Sequence, residues 1–196
     1  MSHSPYHQTI ALIDAANNQD PNIEVHEGSN IPKELLYSQR MTAALTQFNP
    51  EASELLHIAA RGQHIERWTS LRSDYPEGRT GYKQWRAELW LFHAKRVAEL
   101  MAQAGYGEEA CERAKYLTQK RGIKHDPESQ CLEDVICLVF IEHYMAAFAS
   151  KSGYDEAKLI DIIQKTWAKM SDKGHAAALQ LPLSQDLLEL IGKALS

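Results

Sequence analysis

The chain has 196 residues, of which 44% are hydrophobic and 24% charged, and its formal net charge is −5. This length and composition predict a globular protein whose core needs no disulfide or metal to fold. The acidic balance argues against binding to bulk DNA. The three cysteines form no CxxC pair, which argues against a disulfide framework and a structural zinc site.

The beginning of the chain has no basic segment followed by a long apolar one, so we expect no signal peptide. The longest apolar run, residues 135–141, is far shorter than the roughly 20 residues needed to span a bilayer. These features predict a cytoplasmic protein that has no membrane partner.

Helical periodicity and capping signals recur along the chain and predict an all-α bundle of about eight helices. The first two helices are expected at about residues 6–16 and 31–47, with Pro32 at the first helical position of the second. Between them, residues 23–25 give a weak strand signal. A third helix is expected over about residues 50–71.

The fourth helix is expected to end at Gly105, and a more polar fifth helix follows at 107–121. Asp126 and Pro127 then form a cap and a first helical residue. They start a buried central helix, at about 127–150, that contains the apolar run.

Two more helices are expected at about 155–171 and 185–195. Nothing in the sequence marks a linker long enough to divide two domains. We therefore expect one all-α domain, 1–196. Its parts are N-terminal helices at 1–47, a motif-bearing core at 48–150 and C-terminal helices at 154–196 that pack on this core.

Positive charge is concentrated in one part of this acidic chain. Residues 1–60 contain seven acids and two bases, whereas residues 61–96 contain eight bases and four acids. A local basic segment in an acidic protein indicates a small anionic or phosphate-bearing ligand more than a long polyanion.

The predicted third helix has His57, Arg61, His64 and Trp68 at positions i, i+4, i+7 and i+11, which lie on one helical face. Arg67 lies beside them. This face could line a pocket for an anion or a metal ion. The alternative is a partly exposed helix with solvated arginines and two ordinary histidines.

His93 interrupts the apolar stripe of the fourth helix, where it could be a hydrogen-bonded core residue or a ligand. Asp134 lies in the first turns of the central helix, and a buried carboxylate needs a partner. If His64, His93 and Asp134 converge, they form a first shell for a divalent metal ion, with His93 and Asp134 as catalytic groups. A structural ion pair is the alternative.

Arginines and aromatic residues follow one another in the loop 72–79 and the first turns of the fourth helix. Arginine binds phosphate and carboxylate groups through two parallel hydrogen bonds, and aromatic rings can stack on a base. The alternative is a loop held by its own ion pairs. The candidate substrate-binding residues of the whole basic segment are Arg61, Arg67, Trp68, Arg72, Arg79, Tyr82 and Arg86.

The segments AARGQHIERW (59–68), RSDYPEGRTGYKQWR (72–86), FHAKR (92–96) and DPESQCLEDVICLVFIEHY (126–144) resemble a domain-of-unknown-function family of bacteria and fungi. Some fungal members of that family carry a glutamyl-tRNA synthetase label. No class I or class II synthetase signature is present in this chain, and the resemblance implies no particular activity.

A second, partial resemblance is to the HD superfamily of metal-dependent phosphohydrolases, which are helical. His64, His93 and Asp134 follow the order of that family's ligands, although Ala94 follows His93 where the family has an aspartate. This resemblance implies an HD-like bundle and a bound divalent metal ion that activates water.

Three functions are therefore open from the sequence. The first is an HD-like, divalent-metal-dependent phosphohydrolase that acts on a small phosphate-bearing substrate. The second is a metal-free binding module for a small anion, a nucleotide or an RNA end. The third is a structural or interaction protein without catalysis.

Overall fold

The structure is a computed structural model that describes residues 4–151 and 153–196. It confirms the all-α class, with ten α-helices and one short hairpin in the described residues. Contacts within the chain divide it into two compact units, residues 1–121 and residues 122–196. No helix among the described residues is both long and apolar enough to cross a membrane.

The first unit begins with helix α1 (Pro5–Asn17), a hairpin of strands β1 (Ile23–His26) and β2 (Ser29–Pro32), and helix α2 (Lys33–Phe48). The weak strand signal at residues 23–25 thus belongs to a real strand. Glu27 and Gly28, both with positive φ, form the tight turn of the hairpin. Pro32 was expected inside the second helix, but it ends β2 and precedes the first residue of α2.

Helices α3 (Glu54–Arg61), α4 (Gly78–Gln103) and α5 (Glu108–Thr118) complete the first unit, with two short 3₁₀ turns at Arg67–Thr69 and Arg72–Asp74. Gly105 has a φ of +98°, as expected for the residue that ends α4. Helix α4 packs against α5 and α1. The largest buried side chains of this core include Ile13, Ile58, Ile65, Val97 and Met101.

The prediction of a single third helix over residues 50–71 was wrong, because α3 ends at Arg61. Gly62 follows it and lies very close to α4, so that a Cβ added there would be 2.3 Å from Cγ2 of Val97. Glu66 then adopts a left-handed backbone with a φ of 50°. The chain therefore leaves the helical path, and residues after Arg61 no longer share a face with His57.

The second unit contains α6 (Pro127–Val139), a π-helical turn (Phe140–Tyr144), α7 (Met145–Lys151), α8 (Glu156–Trp167), α9 (Asp172–Ala178) and α10 (Gln185–Leu195). The Asp126 carboxylate accepts a hydrogen bond from the Ser129 amide at 2.9 Å, which confirms the predicted cap. Helix α9 was missed, although Ser171 caps it by accepting from the Gly174 amide.

Candidate functional site

The turn after α3 brings His64 and Arg67 together with residues of α2. The His64 ring stacks on Tyr37, with 3.9 Å between ring centroids. Its Nδ1 lies 3.3 Å from Oε2 of Glu34, and its Nε2 lies 3.4 Å from an Arg67 nitrogen. Arginine can only donate, so His64 Nε2 accepts, and the hydrogen of the neutral ring lies on Nδ1, on the side of the Glu34 carboxylate.

His93 of α4 lies close to this group and is 1% exposed. The His93 and His64 ring centroids are 6.0 Å apart. His93 Nδ1 donates a hydrogen bond to the Ile65 carbonyl at 2.8 Å. Its other ring nitrogen, Nε2, is buried and has no hydrogen-bond partner among the described residues. A buried polar atom in this condition requires an explanation.

The two histidines border a small pocket in which positive charge accumulates. We call it the cationic pocket, and it is lined by Gln63, His64, Arg67, Arg86, Leu89, Trp90, His93 and Lys120. The Arg67 guanidinium lies 4.9 Å from the ring centroid of Trp85, and that of Arg86 lies 5.7 Å from the centroid of Trp90. Three cationic side chains therefore meet, and no carboxylate is found among the described residues that line the pocket.

Burial and these charges shift the proton affinities of the groups around the pocket. Burial lowers the pKa of His93 well below its usual range, and the neighbouring His64 and Arg67 lower it further. The pKa of His64 is also far below normal, chiefly because of burial and then because of Arg67. Burial raises the pKa of Glu34 to about 7, against the opposing effect of Arg67. At neutral pH both imidazoles are therefore uncharged.

Four of the predicted site residues meet at this pocket: His64, Arg67, Arg86 and His93. Arg61 has a different role. Its Nε and Nη2 atoms each donate to an Asp14 carboxylate oxygen at 2.7 Å, and its Nη1 donates to Thr42 Oγ1 at 3.1 Å. This two-pronged ion pair joins α1, α2 and α3, so Arg61 is occupied away from the pocket.

The loop arginines and the aromatic residues around them also lie outside the lining of the pocket. Arg72 donates to the backbone carbonyls of Tyr75 and Gly78, so it holds the loop through backbone oxygens, whereas the sequence alternative invoked ion pairs. Arg79 and Tyr82 are exposed, and Trp68 is half-buried without lining the pocket.

Asp134 lies in the second unit, where it is 2% exposed. Its carboxylate accepts from the Ser171 amide at 2.7 Å, from the Ser171 hydroxyl at 2.6 Å and from Gln130 Nε2 at 3.2 Å. These contacts tie α6 to the beginning of α9. Within residues 4–151 and 153–196, no three His, Cys, Asp or Glu side chains form a group able to hold a metal ion.

The sequence interpretation missed several members of the pocket and its surroundings. Glu34 and Tyr37 come from α2, and Gln63, Trp90 and Lys120 line the pocket itself. Lys120 has a left-handed backbone with a φ of 57° just after α5. The only sequence signal for it is the basic run KRGIK at 120–124.

Comparisons with known proteins give one family. The family model described as "Domain of unknown function (DUF4202)" matches residues 7–191. No curated protein and no solved structure matches the chain. The match covers both compact units.

Proposed function

This chain belongs to the DUF4202 family, and we propose that its first unit binds a small oxyanion, such as a phosphate or carboxylate group of a small molecule, in the cationic pocket. The observation that carries the proposal is the meeting of Arg67, Arg86 and Lys120 in a pocket whose described lining contains no acid. Like charges at short range repel, and a bound anion removes that repulsion.

The two arginines are held in place by aromatic rings. Arg67 lies over Trp85, and Arg86 lies over Trp90. Stacking of a guanidinium on an aromatic face leaves its N–H edges available for hydrogen bonds, and a planar fork of donors fits two oxygens of a phosphate or carboxylate. The aromatic residues of this segment therefore support the arginines as anion ligands.

The size of the pocket limits how the ligand enters. It has room for about one water-sized group. A single terminal oxygen of the anion would enter it, while the rest of the ligand lies outside. Trp90 both lines the pocket and is 37% exposed, so its ring offers an apolar surface to the remainder of the ligand.

The metal-dependent phosphohydrolase predicted from the sequence shares the phosphate ligand with this proposal. It further needs His64, His93 and Asp134 as metal ligands, with Asp134 and His93 as catalytic groups. His64 and His93 lie close together, but the described residues contain no group of three His, Cys, Asp or Glu side chains able to hold a metal ion. Binding without a metal ion is the function that the geometry supports best.

The test is a thermal-shift and calorimetric titration of the full chain with inorganic phosphate, pyrophosphate and citrate, against sodium chloride of equal ionic strength. Because a ligand that binds only the folded state stabilises it, at least one of these anions should raise the melting temperature in proportion to the logarithm of its concentration.

Variants then locate the binding site. Arg67→Gln and Arg86→Gln should each weaken binding about tenfold or more, since a hydrogen bond to a charged group is worth roughly 1.5–3 kcal/mol. Arg79→Gln is the matched control, an exposed arginine at the beginning of the same helix as Arg86. Equal losses in all three variants, or no stabilisation by any of the anions, would refute the proposal.

A further inference from the structure

We infer that His93 is the hydrogen-bond acceptor that makes the cationic pocket select an oxyanion that still carries a proton, so that phosphate is bound in preference to sulfate. This inference rests on the proposed function, because it concerns the ligand class of the same pocket. It narrows that class from any oxyanion to one that offers both negative oxygens and an O–H donor.

The argument starts from the hydrogen bond that fixes the imidazole. A backbone carbonyl can only accept, so the 2.8 Å contact with Ile65 places a hydrogen on Nδ1 of His93. A neutral imidazole has a single N–H, which leaves Nε2 with an unshared lone pair. This Nε2 is buried and has no partner among the described residues.

The surroundings of His93 keep it neutral. From the turn after α3 it faces His64 and Arg67, from its own helix Arg86, and from the segment after α5 Lys120. Glu34 of α2 brings an acidic group to this cluster, since it lies 3.3 Å from His64 and interacts electrostatically with Arg67. A second proton on His93 would add another positive charge to a buried cationic cluster, which burial and Coulomb repulsion both oppose.

The ligand must therefore satisfy cations and a lone pair in one small space. Hydrogen phosphate has oxygens that accept from the arginines, and near neutral pH it also keeps a P–OH group. A phosphate monoester, whose second pKa is about 6, has a P–OH group only in its monoanion. That group can donate to His93 Nε2. Sulfate has the same shape, but it is fully deprotonated and can only accept. Its oxygen would face the lone pair of Nε2 without a hydrogen between them.

Calorimetry with inorganic phosphate and sodium sulfate, at pH 7.5 and equal ionic strength, tests the inference on the unmodified chain. Phosphate should bind at least about tenfold more tightly than sulfate, the effect of one charge-assisted hydrogen bond. Repeating the sulfate titration in two buffers of different ionisation enthalpy measures proton uptake, which should be absent if His93 stays neutral.

His93→Gln gives a second, independent measurement. The glutamine amide can donate as well as accept, so this variant should bind sulfate more tightly than the natural chain does and bring the phosphate-to-sulfate ratio close to one. His57→Gln is the control, since His57 lies in α3 and does not line the pocket. Its ratio should equal that of the natural chain. If the His93 variant does not fold, the ratio measured on the natural chain decides alone.

The outcomes separate the two proposals. Equal binding of phosphate and sulfate, with or without proton uptake, would overturn the role of His93 as acceptor and leave the anion pocket standing. If citrate binds but neither phosphate nor sulfate does, the role of His93 is likewise refuted, and the anion pocket stands. If none of the tested anions binds, the proposed function itself fails.

Discussion

Two buried polar clusters of this protein differ in how completely their hydrogen bonds are satisfied. Around Asp134, a buried carboxylate accepts from the Ser171 amide, the Ser171 hydroxyl and Gln130. Around His93, a buried ring nitrogen lacks a described partner, and three cationic side chains line the adjoining pocket. Satisfied clusters stabilise a fold, whereas a buried polar atom without a partner requires an explanation, and the one we propose for His93 is a bound anion. The following experiments test this distinction.

The largest effect is expected for Asp134→Ala. This change removes the acceptor of two Ser171 donors and one from Gln130, so the free energy of unfolding should fall by about 3 kcal/mol. Urea denaturation followed by circular dichroism measures it. The control is Asp172→Asn, an exposed change in the first turn of α9, the helix that Ser171 caps. Its free energy of unfolding should stay within about 0.5 kcal/mol of that of the natural chain. If the two variants lowered the free energy of unfolding by similar amounts, the structural role of Asp134 would be refuted.

The second effect concerns Glu34, whose pKa of about 7 lies above the ordinary value of 4.5. The folded chain then binds more protons than the unfolded chain between these values. The stability contributed by protonated Glu34 is fully present below about pH 4.5 and is lost as the pH rises through 7. The free energy of unfolding of Glu34→Gln, relative to that of the natural chain, should therefore rise by on the order of 2–3 kcal/mol as the pH increases from 4.5 to 8.

Urea titrations of both chains at several pH values measure this gain. The difference between the chains cancels the opposing contribution of His64 and His93, whose lowered pKa values give stability above pH 6.5 that is lost as the pH falls. A difference that does not vary with pH would contradict the buried, cation-facing position of Glu34.

A third, smaller effect is expected at the Arg61 ion pair, a satisfied cluster in the same unit as the pocket. Arg61→Ala should reduce the free energy of unfolding by about 2 kcal/mol. Asp14 loses both hydrogen bonds from the guanidinium, and its carboxylate is only partly exposed to solvent. Arg61→Lys keeps the charge without the fork and should lose about half of this. Anion binding should persist in both variants, which calorimetry with phosphate would verify.

The smallest effect on stability is expected for Arg67→Ala. The variant loses a stacking contact with Trp85, worth roughly 0.5–1 kcal/mol, and its attraction to Glu34. In return it is relieved of the cost of burying a charge and of repulsion by Arg86. The free energy of unfolding should therefore change by less than about 1 kcal/mol, while anion binding falls. A loss of stability as large as that of Arg61→Ala would place Arg67 among the structural residues.

Local signals made much of the fold predictable. The cap at Asp126, the proline after it and the glycine after α4 are short-range features that act within a few residues. Each of them lies where the sequence placed it. The helix class and most helix positions followed from the same kind of signal.

The end of α3 was not predictable in this way. The spacing of Arg61, His64 and Trp68 continues a helical face, so the periodicity predicts a longer helix. What stops it is tertiary, namely the close approach of Gly62 to Val97 and a left-handed residue, Glu66, that is not a glycine. No local pattern marks either feature.

The pocket was predictable only in part. The unequal distribution of arginines predicted an anion site that includes Arg67 and Arg86, and both of these residues line the cationic pocket. Glu34 and Lys120 come from segments far apart in the chain, and only the packing of α2 and α5 places them near His64. Long-range proximity of this kind leaves no trace in residue spacing.

The π-helical turn at Phe140–Tyr144 has a consequence for chain length. In a π turn, the backbone hydrogen bond joins residues that are five positions apart in the chain. Here the Met145 amide donates to the Phe140 carbonyl. The wide turn accommodates one extra residue. The side chains of α6 and α7 therefore point in the same directions as they would in a continuous α-helix that lacked this residue. Insertions or deletions of a single residue among homologues are therefore expected at this turn, where they leave the buried Leu138 and Met145 facing inwards.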